Sequence, residues 1–185
     1  MFEIKTSQDF YAMLVANYDD YMESPDSGRL ALNCAITAYH LHEWVWGDWL
    51  KTDYAVQKAL GIRDRDSFLA WIDRACRWFR AVQDLANGTK HFARDSGFET
   101  SRVTGYDTGP YGIGPYGRGY LLIDYGEGAG EHQFQPAAHL LEVVVRFWRD
   151  FFRADRPSPD LSESKHHLAP LTETSVTGRR ASAAS

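Results

Sequence analysis

Apolar residues recur at intervals of three and four along most of this chain, which predicts α-helices. The long helical patterns cover residues 6–24, 29–51, 64–92 and 135–155. A shorter pattern ends at Gly61, and Pro136 lies near the first position of the last long pattern, where proline is tolerated. The order of these elements predicts an all-α fold, an antiparallel four-helix-type bundle with a short extra helix.

Glycine and tyrosine dominate the stretch before the last long pattern. The segment 96–134 is predicted to be a Gly/Tyr-rich insert of loop and β-hairpin, in which Tyr120–Tyr125 is one strand and Glu131–Phe134 the returning strand. The helical domain that carries this insert is predicted to span residues 1–154. Residues 155–185 are rich in Pro, Ser, Thr and Ala without periodicity, which predicts a disordered C-terminal tail.

Composition and charge narrow the class of protein. The 185 residues are 44% hydrophobic and 14% aromatic, which is typical of a globular domain with a real core. The net charge of -5 argues against strong non-specific binding of nucleic acid but allows a small basic site. Cys34 and Cys76 lie within apolar helical patterns and are expected to be small buried residues. No signal peptide or membrane span is recognised, so a cytoplasmic protein without a membrane partner is expected.

Polar residues follow one face of the third long pattern. Arg77, Asp84 and His91 are seven residues apart, and Arg80 and Asn87 fall between them on the same side of a continuous helix. One interpretation is a solvated face in which Arg80 and Asp84 form an ion pair. The other is a groove in which His91 transfers protons, because histidine titrates near neutral pH.

The second long pattern offers partners for that face. His40 and Glu43 are predicted to meet the polar face, whereas His42 falls on the apolar stripe and is predicted to be a core histidine. The spacing from His40 to Glu43 is the reverse of the Glu-x-x-His spacing of di-iron bundles and occurs on one helix only. No metal ligand set and no cofactor are therefore predicted.

A family resemblance rests on the segments DLANGTKHF (84–92) and NCAITAYHLHEW (33–44). Together they resemble the HEPN superfamily, small helical bundles whose late helix ends in a polar segment with a histidine. They also resemble bacterial helical proteins loosely associated with that group. The resemblance covers roughly residues 6–154 without the glycine-rich insert, and His91 matches the family histidine. Asn87 matches a polar position of the motif.

The resemblance implies a metal-independent ribonuclease, often built across a dimer interface. In catalytic members an arginine precedes the histidine by a few positions, whereas this chain has Asp84, Leu85 and Ala86 there. Arg80 is eleven residues before His91, too far along a helix to take over directly. The sequence therefore leaves open whether the protein cleaves RNA or only binds it.

Three hypotheses of function follow. The first is an HEPN-like protein that acts on or binds RNA or a nucleotide, in a bacterial defence or toxin–antitoxin setting. Its predicted catalytic residues are His91, Asp84 and Asn87, and its predicted binding residues are Arg80, Lys90, His40 and Glu43. The second is a non-enzymatic subunit that binds a protein partner or a second copy of itself. The third is a metal-dependent helical-bundle enzyme.

Overall fold

The chain is predominantly helical, as predicted, and its helices are accompanied by a small antiparallel sheet. The computed structural model describes residues 3–88, 99–104, 110, 112–113 and 117–168. The helices are α1 (Ser7–Glu23), α2 (Gly28–Asp48), α3 (Tyr54–Leu60), α4 (Arg65–Ala75), α5 (Phe79–Gly88) and α6 (Ala137–Asp155). The strands are β1 (Glu99–Val103), β2 (Tyr120–Asp124) and β3 (Phe134–Pro136).

Helix α2 occupies the centre of the fold and contacts α1, α4, α5 and α6. Its buried face includes Cys34, Ala35 and Ala38, small residues that allow neighbouring helices to approach closely. Cys34 and Cys76 are both buried and free, which confirms their prediction as small core residues. Within the described ranges no helix is long and apolar enough to cross a membrane.

The third long pattern is not one helix but two. Helix α4 ends at Ala75, Cys76 adopts an extended conformation, and α5 begins at Phe79. The prediction of a continuous helix over 64–92 is therefore wrong at this point. The physical reason is that Cys76 and Trp78 are both buried, although residues two apart point to opposite sides of a helix. Breaking the helix lets both side chains enter the interior.

Helix α6 supplies the largest part of the aromatic core. Trp148, Phe151 and Phe152 are almost completely buried, and Pro136 forms the N-cap of the helix as its sequence position suggested. The indole N–H of Trp148 donates a hydrogen bond of 3.0 Å to the carbonyl oxygen of Ala38 in α2. This contact fixes the position of α6 against the central helix.

The predicted hairpin is part of a three-stranded sheet with the order β1-β2-β3. Strand β2 agrees with the prediction, but the returning strand is Phe134–Pro136 rather than Glu131–Phe134. Residues 127–132 form a 3₁₀ segment instead, which Gly126 precedes and Gly130 interrupts, both at positive φ. Strand β1 was not predicted, because four of its five residues are exposed and it carries no apolar alternation.

The sheet lies against the helices through one face and has a small core of its own on the other. Ile123 belongs to the main core, whereas Tyr120 and Leu122 pack with Val103 in a second apolar cluster. The backbone N–H of Leu121 donates to the carbonyl oxygen of Pro25, which ties β2 to the α1–α2 connection. Directly after β2, the ring of Tyr125 stacks on Trp78, which places the end of this strand close to the break between α4 and α5.

Residues 156–168 pack against the helices, whereas the sequence predicts a disordered tail over residues 155–185. Leu168 is buried, and the carboxylate of Asp19 in α1 accepts hydrogen bonds from the hydroxyl of Ser164 and the backbone N–H of Lys165. Periodicity does not reveal this packing because the segment has no regular secondary structure and follows the surface of other elements. Residues 169–185 lie outside the described residues.

Candidate functional site

Two of the predicted binding residues form a small polar network on α2. His40 Nδ1 lies 3.1 Å from Glu43 Oε2, and Arg65 Nη1 at the start of α4 lies 3.6 Å from Glu43 Oε1. About half of the Glu43 and Arg65 side chains is exposed, so this network is screened by solvent. Glu43 thus pairs with the first turn of α4 and not with the polar face of α5.

The polar face of α5 is present, but its members pair with each other. Arg80 Nε lies 3.7 Å from Asp84 Oδ1 across one helical turn, which is the ion pair of the solvated-face interpretation. Asn87 is half-buried further along the helix. Because α4 and α5 are separate helices, Arg77 lies outside both and does not continue this face.

Helices α2 and α5 are joined by a hydrogen bond that the sequence analysis did not include. The side-chain amide of Gln83 donates to the hydroxyl of Tyr39 at 3.2 Å. Among the described residues, no hydrogen bond or ion pair joins His40 or Glu43 to Arg80 or Asp84. The predicted meeting of the two polar faces is therefore not seen for these four residues. His91 and Lys90 lie outside the described residues.

His42 is a core histidine, as predicted. Its ring is 2% exposed and lies edge-on to Phe79, and its Nδ1–H donates to the carbonyl oxygen of Tyr39 at 2.6 Å. Burial lowers the pKa of His42 below its ordinary value of 6.5, and the hydrogen bond to Tyr39 opposes that shift only in part. The folded state therefore favours the neutral form of the His42 ring.

We expect His42 to make the fold sensitive to acid. As the pH falls below 6.5, the unfolded chain takes up a proton on this ring before the folded chain does. The free energy of unfolding should then fall by up to about 1.4 kcal/mol per pH unit until the folded pKa is reached. Urea unfolding of the wild type and of His42→Gln between pH 8 and 5 measures how the free energy of unfolding depends on pH. Parallel pH profiles for the two proteins would contradict it.

A cluster of aromatic and basic side chains surrounds Trp78 at the break between α4 and α5. We call these residues, Arg77, Trp78, Tyr125, His132 and His139, the Trp78 cluster. The Arg77 guanidinium lies 4.9 Å from the indole centroid, and the Tyr125 ring is stacked at 5.8 Å. The imidazoles of His132 and His139 lie edge-on at 6.3 and 6.4 Å. Three basic side chains from three separate segments thus share one aromatic ring.

The outer members of the Trp78 cluster are accessible. Arg77, His132 and His139 are exposed, whereas Trp78 is 9% exposed and acts as their common support. Partial burial nevertheless lowers the pKa of His139. The Glu142 carboxylate opposes this shift, whereas the positive charges of Arg146 and Arg77 add to it. The carboxylate of Asp84 lies near enough to Tyr125 to help raise the pKa of that phenol, after burial, which is the larger cause.

Sequence reasoning missed the Trp78 cluster because its members are far apart in the chain. His132 was placed in a returning strand and His139 in an ordinary helical pattern, with no motif spacing between them. The one local signal was the spacing of Cys76 and Trp78, two apolar residues that a continuous helix would place on opposite sides. Only the docking of the sheet beside the helix break brings these residues together.

Two further features bear on metal or ligand binding. Among the described residues, no three histidine, cysteine, aspartate or glutamate side chains are grouped to hold a metal ion. An open depression of about 320 Å³ is lined by Lys5, Glu43, Trp44, Gly47 and Asp48. Asp48 there accepts hydrogen bonds from the backbone N–H and the hydroxyl of Ser7, so it caps α1 and has a structural role.

Comparison with known proteins identifies no relative for this chain. No protein-family model, no curated protein and no solved structure matches it.

Proposed function

We propose that the protein is an HEPN-like helical protein that binds RNA or a nucleotide, in a bacterial defence or toxin–antitoxin setting. The observation that carries the proposal is the Trp78 cluster, where Arg77, His132 and His139 gather around one buried indole. We further propose that the helices are arranged as the antiparallel bundle of that superfamily. The sheet would then be an addition at one end of the bundle.

The chemistry of the Trp78 cluster suits a phosphate next to a base. A guanidinium matches phosphate oxygens in a bidentate manner, and imidazoles donate hydrogen bonds to the same oxygens. Aromatic side chains and arginine planes stack unpaired bases, which is the usual way in which proteins bind single-stranded RNA. Because the whole chain carries a net charge of -5, binding should depend on this local cluster and be of modest affinity.

The second part of the proposal concerns catalysis and rests on the resemblance seen in the sequence. His91 would be the acid/base, Lys90 a phosphate contact, and Asn87 would orient the imidazole. Asp84 pairs with Arg80 at 3.7 Å, so we assign it to positioning that arginine on the α5 surface. The activity would then be that of a metal-independent ribonuclease.

RNA binding and RNA cleavage are tested separately. Fluorescence anisotropy with a labelled single-stranded RNA should show binding that weakens with salt, with a log–log slope of about -0.7 for each phosphate contact. Incubation with mixed RNA in EDTA then tests cleavage, with His91→Ala as the control. Absence of any salt-dependent binding would overturn the proposal. Binding without cleavage, or cleavage that persists in His91→Ala, would remove only the catalytic role of His91.

A further inference from the structure

Residues 156–168 lie along α1 and α6, and we call them the C-terminal strap. On the side of α1, the strap is held by one buried carboxylate. Asp19 is 7% exposed and accepts hydrogen bonds from the Ser164 hydroxyl at 2.5 Å and from the Lys165 backbone N–H at 3.2 Å. His166 adds a perpendicular ring contact with Tyr18 at 6.4 Å. A buried carboxylate without these donors would be costly, so α1 is built to receive a chain at this position.

On the side of α6, two arginines and an apolar contact hold the strap. Arg149, 7% exposed, donates to the carbonyl oxygen of Leu168 at 3.1 Å, and Arg153 donates to the Glu163 carboxylate at 2.6 Å. Leu168 is buried in the main core, and Leu161 packs partly against it. The surface of the helices therefore contacts the strap through its apolar side chains, a backbone carbonyl oxygen and a carboxylate. Protein surfaces that bind short peptides use the same kinds of contact.

The strap itself contains no helix or strand, so its order comes from the surface that it covers. It is joined to α6 by Arg156, Pro157, Ser158 and Pro159, and prolines keep such a connection extended. Fully extended, the thirteen residues of the strap reach about 40 Å. A strap released from its own groove can thus extend away from the end of α6 toward a neighbouring molecule.

We propose that the surface between α1 and α6, the strap groove, is a peptide-docking site that can be filled in trans by the strap of a second copy of this chain. In one molecule the strap fills its own groove, and exchange between two molecules gives a symmetric dimer with the same contacts. A tethered strap competes at an effective concentration in the millimolar range. Exchange should therefore be rare in the wild type and become dominant only when one chain has lost its strap and the other has lost its groove.

A pair of complementary variants of the full chain tests this proposal. The first carries Leu168→Asp, which damages the strap and leaves the groove intact. The second carries Asp19→Asn with Arg153→Glu, which damages the groove and leaves the strap intact. Mixed together, they should form a complex of one chain of each, measured by size exclusion with light scattering. Each variant alone, and a mixture of either with the wild type, should stay monomeric at the same concentration.

Two controls separate docking from unfolding. Circular dichroism should show that each variant keeps its helices, and Leu168→Ala is tested in parallel as a milder strap variant. A labelled peptide of residues 156–168 should bind the Leu168→Asp chain at least about ten-fold more tightly than the wild type, whose groove is already filled. Failure of both strap variants to bind this peptide or to pair with the groove variant would overturn the proposal.

Discussion

Replacing Trp148 by alanine is expected to lower the free energy of unfolding by about 3–5 kcal/mol, the largest single effect that we predict for this protein. The side chain is fully buried and contacts the rings of Phe79, Phe147 and Phe151 at centroid distances of 6.4, 5.2 and 5.7 Å. Alanine would leave a large cavity between α6 and α2 and remove the hydrogen bond to Ala38. For a chain of this length, the unfolding midpoint should fall by roughly 10 °C or more.

Two variants control the Trp148 experiment, which is made by thermal and urea unfolding. Trp148→Phe keeps a ring but loses the N–H donor, so its effect should be intermediate. Tyr54→Ala removes a ring that is 77% exposed and should change stability by less than about 0.5 kcal/mol. If Trp148→Ala were no less stable than Tyr54→Ala, the packing of α6 on α2 described above would be wrong.

The second large effect concerns the proposed binding of RNA. Arg77→Ala should weaken the binding of single-stranded RNA by about ten-fold at low salt, because it removes a cation from the Trp78 cluster. The expected loss is about 1.4 kcal/mol of binding free energy. Its physical basis is the loss of one phosphate contact, which should also reduce the salt slope by about 0.7. The measurement is an anisotropy titration at several salt concentrations.

Arg63→Ala is the matched control, since it makes the same change of charge elsewhere. Arg63 is exposed and precedes α4, whereas Arg77 follows that helix, whose eleven residues separate the two by about 16 Å. The control should change affinity by less than about two-fold. Equal weakening by both variants would mean that binding depends on overall charge alone. The variants His132→Asn and His139→Asn then test the two histidines of the cluster.

The elements of this fold were largely predictable from local patterns. Helices α1, α2, α3 and α6 follow from apolar residues at helical spacing, and the end of α3 follows from Gly61, which has a positive φ. Strand β2 follows from its apolar run, whereas β1 does not because most of its side chains are exposed. Local patterns report burial along one element, so an exposed edge strand leaves little trace.

The candidate site was less predictable than the fold. The sequence correctly identified His42 as a core residue, and the pairing of Arg80 with Asp84 was one of the two interpretations that it left open. Both depend on spacing within one helix. It placed His40 and Glu43 against α5, but Glu43 pairs with Arg65 of α4 instead. Which side of a helix meets which neighbour depends on how several elements pack, and spacing within one helix does not encode this.

The sequence by itself determined a predominantly helical chain, a glycine-rich insert with a strand, and two buried cysteines. Only the tertiary structure decided three other features: the break at Cys76, the Trp78 cluster, and the binding of the C-terminal strap to Asp19. The physical reason is the same in each case. Which side chains are buried, and which polar groups find hydrogen-bond partners, depends on contacts between elements that are distant in sequence. Where these contacts conflict with the local periodicity, the contacts determine the structure.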